Sequence, residues 1–164
     1  MKNNGFLHLV SLVAALLLAL PTMAQSESIV TLSGNAYITS GQTAFIDEDH
    51  CTIRNWNDKE TVISFYFRTE KSGDMNIALQ AKGNSKIEVS LLGKKKKITL
   101  ESDELSRIEL GTYKVENPGY VKMDIRGLKI NQGADFGSIA SVTVGGDVCP
   151  VICVSQDFSS HFGR

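Results

Sequence analysis

The sequence predicts an all-β protein, an antiparallel β-sandwich of the jelly-roll kind, and three observations carry that prediction. Thr61 to Arg68 reads Thr-Val-Ile-Ser-Phe-Tyr-Phe-Arg, β-branched or aromatic nearly throughout and uninterrupted by Gly or Pro. Tyr120 to Arg126 repeats the same two-residue alternation. Elsewhere, short β-prone pieces are separated by turn residues, and no stretch shows the period of an amphipathic helix.

In chain order, Met1-Lys2 precedes an apolar run from Phe6 to Leu20, broken by His8 and Ser11 and followed by Pro21-Thr22-Met23-Ala24. One positive charge, a run short for a bilayer and small residues at its end mark a secretory signal peptide. Cleavage is expected after Ala24. Residues 1–24 are thus read as the signal, 25–146 as the sandwich, and 147–164 as a linker and the truncated start of a second domain. The product is expected to be exported, periplasmic or extracellular, with no membrane span after cleavage.

Removing those 24 residues from 164 leaves 140, enough for one domain. Lys2 is the only charge lost, so 16 basic residues face 18 acidic ones. This near-neutral balance argues against nucleic acid or an anionic membrane as partner, because those binders concentrate positive charge. Lys94 to Lys97 is the only basic run and reads as a soluble turn or a protected sheet edge. Cys51, Cys149 and Cys153 form an odd set: one disulfide is compatible with them, in any pairing, and so are three thiols.

The first pieces of the sandwich lie in Ser28 to Ser40, broken at Gly34-Asn35. A polar connection, Gly41 to Asp58, follows and holds Trp56. Beyond the central strand, Met75 to Lys82 alternates and Gly83-Asn84 is read as a turn. Lys86 to Leu92 and Lys96 to Leu100 flank a tight hairpin at Gly93-Lys94. Ile108 and Leu110 lead into Gly111, and Tyr113 and Val115 into the turn Asn117-Pro118-Gly119. Gly127 is read as closing the second alternating strand, before Leu128 to Ile130 and Ser141 to Val144.

Successive side chains of a strand point to opposite faces. Ile63, Phe65 and Phe67, like Val121, Met123 and Ile125, therefore face a core. Ser64, Tyr66 and Arg68, like Tyr120, Lys122 and Asp124, face outward and would form one patch if the two strands are neighbours. An aromatic ring stacks on the apolar face of a pyranose while flanking charges and amides bond its hydroxyls, so Tyr66, Arg68, Tyr120, Lys122 and Asp124 are candidate ligand contacts, with Trp56 at the rim. Asp47, Asp49 and Asp58, with Glu48, offer oxygen ligands for a structural calcium, although without EF-hand spacing; no other cofactor is expected.

No catalytic residues are assigned and no enzyme is expected. Beyond the signal, His50 and His161 are the remaining histidines, and no nucleophile elbow, zinc-binding His pair or phosphate-cradling glycine loop is present.

Gly34-Asn35-Ala36-Tyr37, Trp56 with Asp58, Ile63 to Arg68, Asn76 to Leu79, Leu110-Gly111-Thr112 and Pro118 to Lys122 together resemble an uncharacterised β-sandwich family, domain of unknown function 5077. That family is found near the N-terminus of secreted bacterial proteins, ahead of a second uncharacterised domain, domain of unknown function 3472. His161-Phe162-Gly163-Arg164 resembles the opening of that second domain. The resemblance implies the architecture of carbohydrate-binding modules and a neighbouring C-terminal domain. It carries no assigned catalytic residues. The expected function is an exported, non-catalytic module that binds polysaccharide or oligosaccharide, or supports a glycan-processing neighbour. The competing expectation is a structural or protein-interaction spacer without a sugar ligand.

Overall fold

The computed structural model describes residues 26–155. The signal reading of residues 1–24 and the His161-to-Arg164 resemblance lie outside them. The described residues form nine strands: β1 Glu27–Thr31, β2 Ala36–Ser40, β3 Phe45–Asp47, β4 Thr52–Arg54, β5 Val62–Thr69, β6 Gly73–Leu91, β7 Lys94–Val115, β8 Gly119–Ile130 and β9 Ser138–Gly146. Among the described residues there is no helix. The ladder runs β1-β9-β6-β8-β5-β2, with β7 on β6, and every pairing is antiparallel.

Strand β6 belongs to two layers. Its first half, Met75 to Lys82, pairs with β9, and its second half, Ser85 to Leu91, pairs with β8. Strand β7 follows it along its whole length, so the two form one long hairpin that passes from one sheet of the sandwich into the other. One sheet is β1, β9 and the first half of β6; the other is β2, β5, β8 and the second half. Between them Phe65, Phe67, Met75, Leu79, Leu91 and Met123 are almost fully buried. Each such side chain contributes about 1.5–3 kcal/mol to folding.

The alternating strands are where the sequence places them, and their inner faces are Ile63, Phe65, Phe67 and Val121, Met123, Ile125. The hairpin turn forms one residue earlier than read, at Leu92-Gly93, both with positive φ, and Leu91 pairs with Lys94, the first residue of β7. The reading of many short strands does not survive in the middle of the chain. Gly83-Asn84 is no reversal but a bend inside β6, and Ile108 to Val115 lies in a 22-residue β7 interrupted only by register shifts. At Gly83 φ is 146°, and an added Cβ would sit 2.6 Å from the Phe136 carbonyl, so glycine there lets two backbones approach where the strand changes sheet. Gly127 likewise does not end β8: its missing side chain leaves room for the Phe136 ring.

Two further expectations are corrected. The Gly41-to-Asp58 connection contains the β3–β4 hairpin, anchored where Ile53 N and Thr52 Oγ1 meet Ser138 Oγ at 3.1 and 2.8 Å. Residues 147–154, within the segment 147–164 read as linker and truncated start of a second domain, pack on the sandwich. Val148, Cys149 and Val151 are buried there, and Ile152 exchanges two backbone hydrogen bonds with Arg68, of 2.9 and 2.8 Å. That bridge continues the outer edge of β5 beyond the point where β2 leaves it.

Cys149 and Cys153 are thiols, with Sγ donating to the carbonyls of Val144 and Ile29. Burial raises the pKa of both.

Candidate functional site

The site is built on the outer face of the β2–β5–β8 sheet. Strands β5 and β8 are direct neighbours, with Ser64 opposite Asp124, Tyr66 opposite Lys122 and Arg68 opposite Tyr120. The two outward triads read from the sequence therefore lie side by side and form one patch, except that Ser64 is fully covered beneath it. Strand β2 adds Tyr37, opposite Ser64, whose ring meets Tyr66 edge-on with centroids 5.9 Å apart. The Arg68 guanidinium stands over the Tyr120 ring at 6.0 Å. Tyr120 is 84% exposed, far beyond what a packed strand aromatic needs.

The upper part of the patch is a depression of about 490 Å³ lined by Tyr37, Tyr66, Arg68 and Tyr120, with Ile152 and Val154 of the tail as one wall. Asn35 fixes that wall. Its Nδ2 donates to the Thr31, Ser33 and Val154 carbonyls, and its Oδ1 accepts from Val154 N at 2.7 Å. The lower part is polar. Lys122 Nζ lies 3.0 Å from Asp124 Oδ1, Ser64 Oγ donates to Asp124, and Thr39 Oγ1 lies 2.7 Å from Ser64 Oγ. The Asp124 hydrogen bond raises the Lys122 pKa, so this lysine is charged over the whole physiological range.

Trp56 is not part of this face. Its side chain is fully buried against Phe136, with ring centroids 5.4 Å apart. A ring with no exposed surface cannot stack on a sugar, so the expectation that Trp56 caps the rim of the patch is corrected. Nor do the proposed calcium ligands converge. Asp47 pairs with His50 at 2.9 Å and Arg54 at 3.3 Å, and Asp58 accepts from Thr43 Oγ1, Thr61 Oγ1 and Thr61 N. Those hydrogen bonds hold both carboxyls below the usual range, the His50 bond foremost at Asp47 and the Thr43 bond at Asp58. Asp49 is an exposed turn residue. Among the described residues no group of three or more His, Cys, Asp and Glu side chains is placed to hold a metal ion.

Sequence reasoning missed three contributors. Tyr37 was visible as an aromatic in a β-prone piece, but only the β2–β5 register puts it beside Tyr66. Ile152 and Val154 lie in a β-prone run, Val151 to Val154, but nothing in that run showed that the tail folds back onto this face.

The chain matches the family described as domain of unknown function (DUF5077) over residues 30–149. It belongs to that family. No curated protein matches the sequence. Among solved structures, the family 35 carbohydrate-binding module (CBM35) from Cellvibrio japonicus Abf62 superposes with a TM-score of 0.57 at 10% identity, covering 79% of this chain and 99% of that one. A family 35 carbohydrate-binding module from an environmental isolate gives 0.57 at 11% identity, with 78% and 98% covered. The Podospora anserina GH26-CBM35 β-(1,4)-mannanase gives 0.55 at 12% identity, but the DUF5077 chain spans only 28% of its length and 76% of itself. At these identities the likeness is one of fold: the DUF5077 domain is an all-β sandwich similar to carbohydrate-binding modules.

Proposed function

We propose that this DUF5077 domain is an exported, non-catalytic glycan-binding module whose ligand lies on the tyrosine depression and supports the action of a neighbouring C-terminal domain. The observation that carries the reading is the cluster of Tyr37, Tyr66 and Tyr120 around one concavity, with Tyr120 left almost wholly in water. Aromatic faces of this kind supply apolar contact for a pyranose ring at little entropic cost, and Arg68, Lys122 and Asp124 at its margin supply hydrogen bonds. The likeness in fold to carbohydrate-binding modules supports the same reading by analogy. Export is supported by the signal-like character of residues 1–24. That the domain is non-catalytic is supported by its likeness in fold to carbohydrate-binding modules.

A glycan array combined with pull-down on insoluble polysaccharides tests the proposal. The folded domain is expected to be retained, and Tyr66→Ala or Tyr120→Ala to abolish retention with the fold intact by circular dichroism. A folded domain that binds no glycan would establish the spacer reading instead.

A further inference from the structure

The depression has an unusual charge content. Among the described residues Arg68 is the one charged residue lining it, and no carboxylate reaches it. Of the other described arginines, Arg54 pairs with Asp47, Arg107 with Glu27 and Glu109, and Arg126 with Glu88. The nearest cation on the same face, Lys122, is taken by Asp124. Arg68 therefore offers a guanidinium fork whose recorded contact is the weak one with the Tyr120 ring. Its backbone is held on both sides, by Ile152 at the N–H and the C=O and by the β8 ladder, so the stem of the side chain has a fixed origin.

The remaining polar groups narrow the ligand further. The Asn35 amide is 3% exposed and committed to the Thr31, Ser33 and Val154 backbone. The tail presents the apolar side chains of Ile152 and Val154, 48% and 47% exposed. Among the described residues the pocket thus combines aromatic and aliphatic surface with a single cationic donor on an anchored backbone and no anionic acceptor. A guanidinium recognises planar or tetrahedral oxyanions through paired N–H donors, more strongly than it does a neutral hydroxyl.

From this we infer that the ligand of the tyrosine depression is an acidic glycan, its sugar ring against the tyrosines and its carboxylate or sulfate ester on Arg68. This rests on the glycan-binding reading above and adds the charge class of the sugar. The chain as a whole is close to neutral, slightly acidic, so a general attraction for polyanions does not arise from its net charge. The Lys94-to-Lys97 run is the other local source of such attraction, and the experiment separates the two.

Affinity electrophoresis and titration calorimetry would compare a polyuronate, the same polymer after carboxyl reduction, and a sulfated galactan. Retention by the polyuronate or the sulfated polymer, falling about tenfold or more on carboxyl reduction, is expected; which of the two polyanions binds tells carboxylate from sulfate. Arg68→Gln should erase the preference for the charged polymer, Arg68→Lys should restore part of it, and Lys94→Gln with Lys97→Gln should leave it unchanged. Equal binding of the polyuronate and its reduced form would overturn the inference and leave glycan binding standing. Loss through the Lys94 and Lys97 substitutions in place of Arg68 would also overturn it. A folded domain that bound none of the polymers, charged or reduced, would overturn both readings.

Discussion

The two outer faces of the sandwich have the same strand geometry and opposite chemistry. On the β1–β9–β6 side, Arg107 is held by Glu27 and Glu109, Lys114 lies 3.3 Å from Asp74, and Thr112 Oγ1 donates to Asn76 Oδ1. Charges and hydroxyls there answer one another within the face. On the β2–β5–β8 side, Tyr37 and Tyr120 stand 55% and 84% exposed beside an arginine that no carboxylate among the described residues pairs with. Folding needs the inner faces of both sheets equally and needs neither outer face in particular. Where one outer face satisfies itself and the other keeps exposed aromatic area and an unused cation, the second is the one shaped by something outside the chain.

Substitutions can break this contrast, starting with the interior both faces share. Phe65→Ala should lower the unfolding free energy by about 3–5 kcal/mol, seen as a shift in the urea midpoint at unchanged m-value. Losing the pinned wall is a smaller insult. Asn35→Ala removes the buried side chain that holds the Val154 amide and the Thr31, Ser33 and Val154 carbonyls, and should cost about 1–3 kcal/mol while raising hydrogen exchange at Val154 more than at core amides. On the outer faces the effects on stability shrink and the effects on binding diverge. Arg107→Ala should cost less than about 1 kcal/mol and leave glycan retention untouched. Tyr120→Ala should change stability by less than about 0.5 kcal/mol and remove retention. If both variants left binding alike, the contrast between the faces would have no functional content.

Acid titration sharpens the contrast from another side. Burial works against the charge of Glu88, but the Arg126 hydrogen bond and the charges of Arg126 and Lys95 outweigh it and hold the carboxyl below its usual range. A carboxyl lowered in the folded state contributes stability above its unfolded pKa and loses it as pH falls through the lowered value. Glu88→Gln should therefore flatten the loss of stability between mildly and strongly acidic pH, measured by urea melts across that window.

Much of this was legible because β5 and β8 alternate without interruption, so each residue declares its face, and the two patterns match when paired. The long β6–β7 hairpin was not legible. Gly83 and Gly111 have the composition of turns, and only the approach of Phe136, or a register shift in the partner strand, tells a bend from a reversal. Trp56 misled for a related reason: a large aromatic in a polar connection is equally compatible with a rim and with a plug, and the fate of its ring is decided by Phe136, eighty residues on in the chain. The tail escaped because its order comes from contacts made at long range, through Arg68 and Asn35, and not from any pattern of its own.

That tail also guards an edge. Past the end of β2, the amide and carbonyl of Arg68 are covered by Ile152, and Val148 and Val151 close the apolar rim beside them. Trimming the protein at Gly146, the boundary its composition suggests, would uncover a short unpaired strand margin and remove Val148 and Val151 from the apolar rim they close. Such a margin recruits the same margin of another copy, so a shortened domain would self-associate, and any sugar-binding assay performed with it would report on clumped protein.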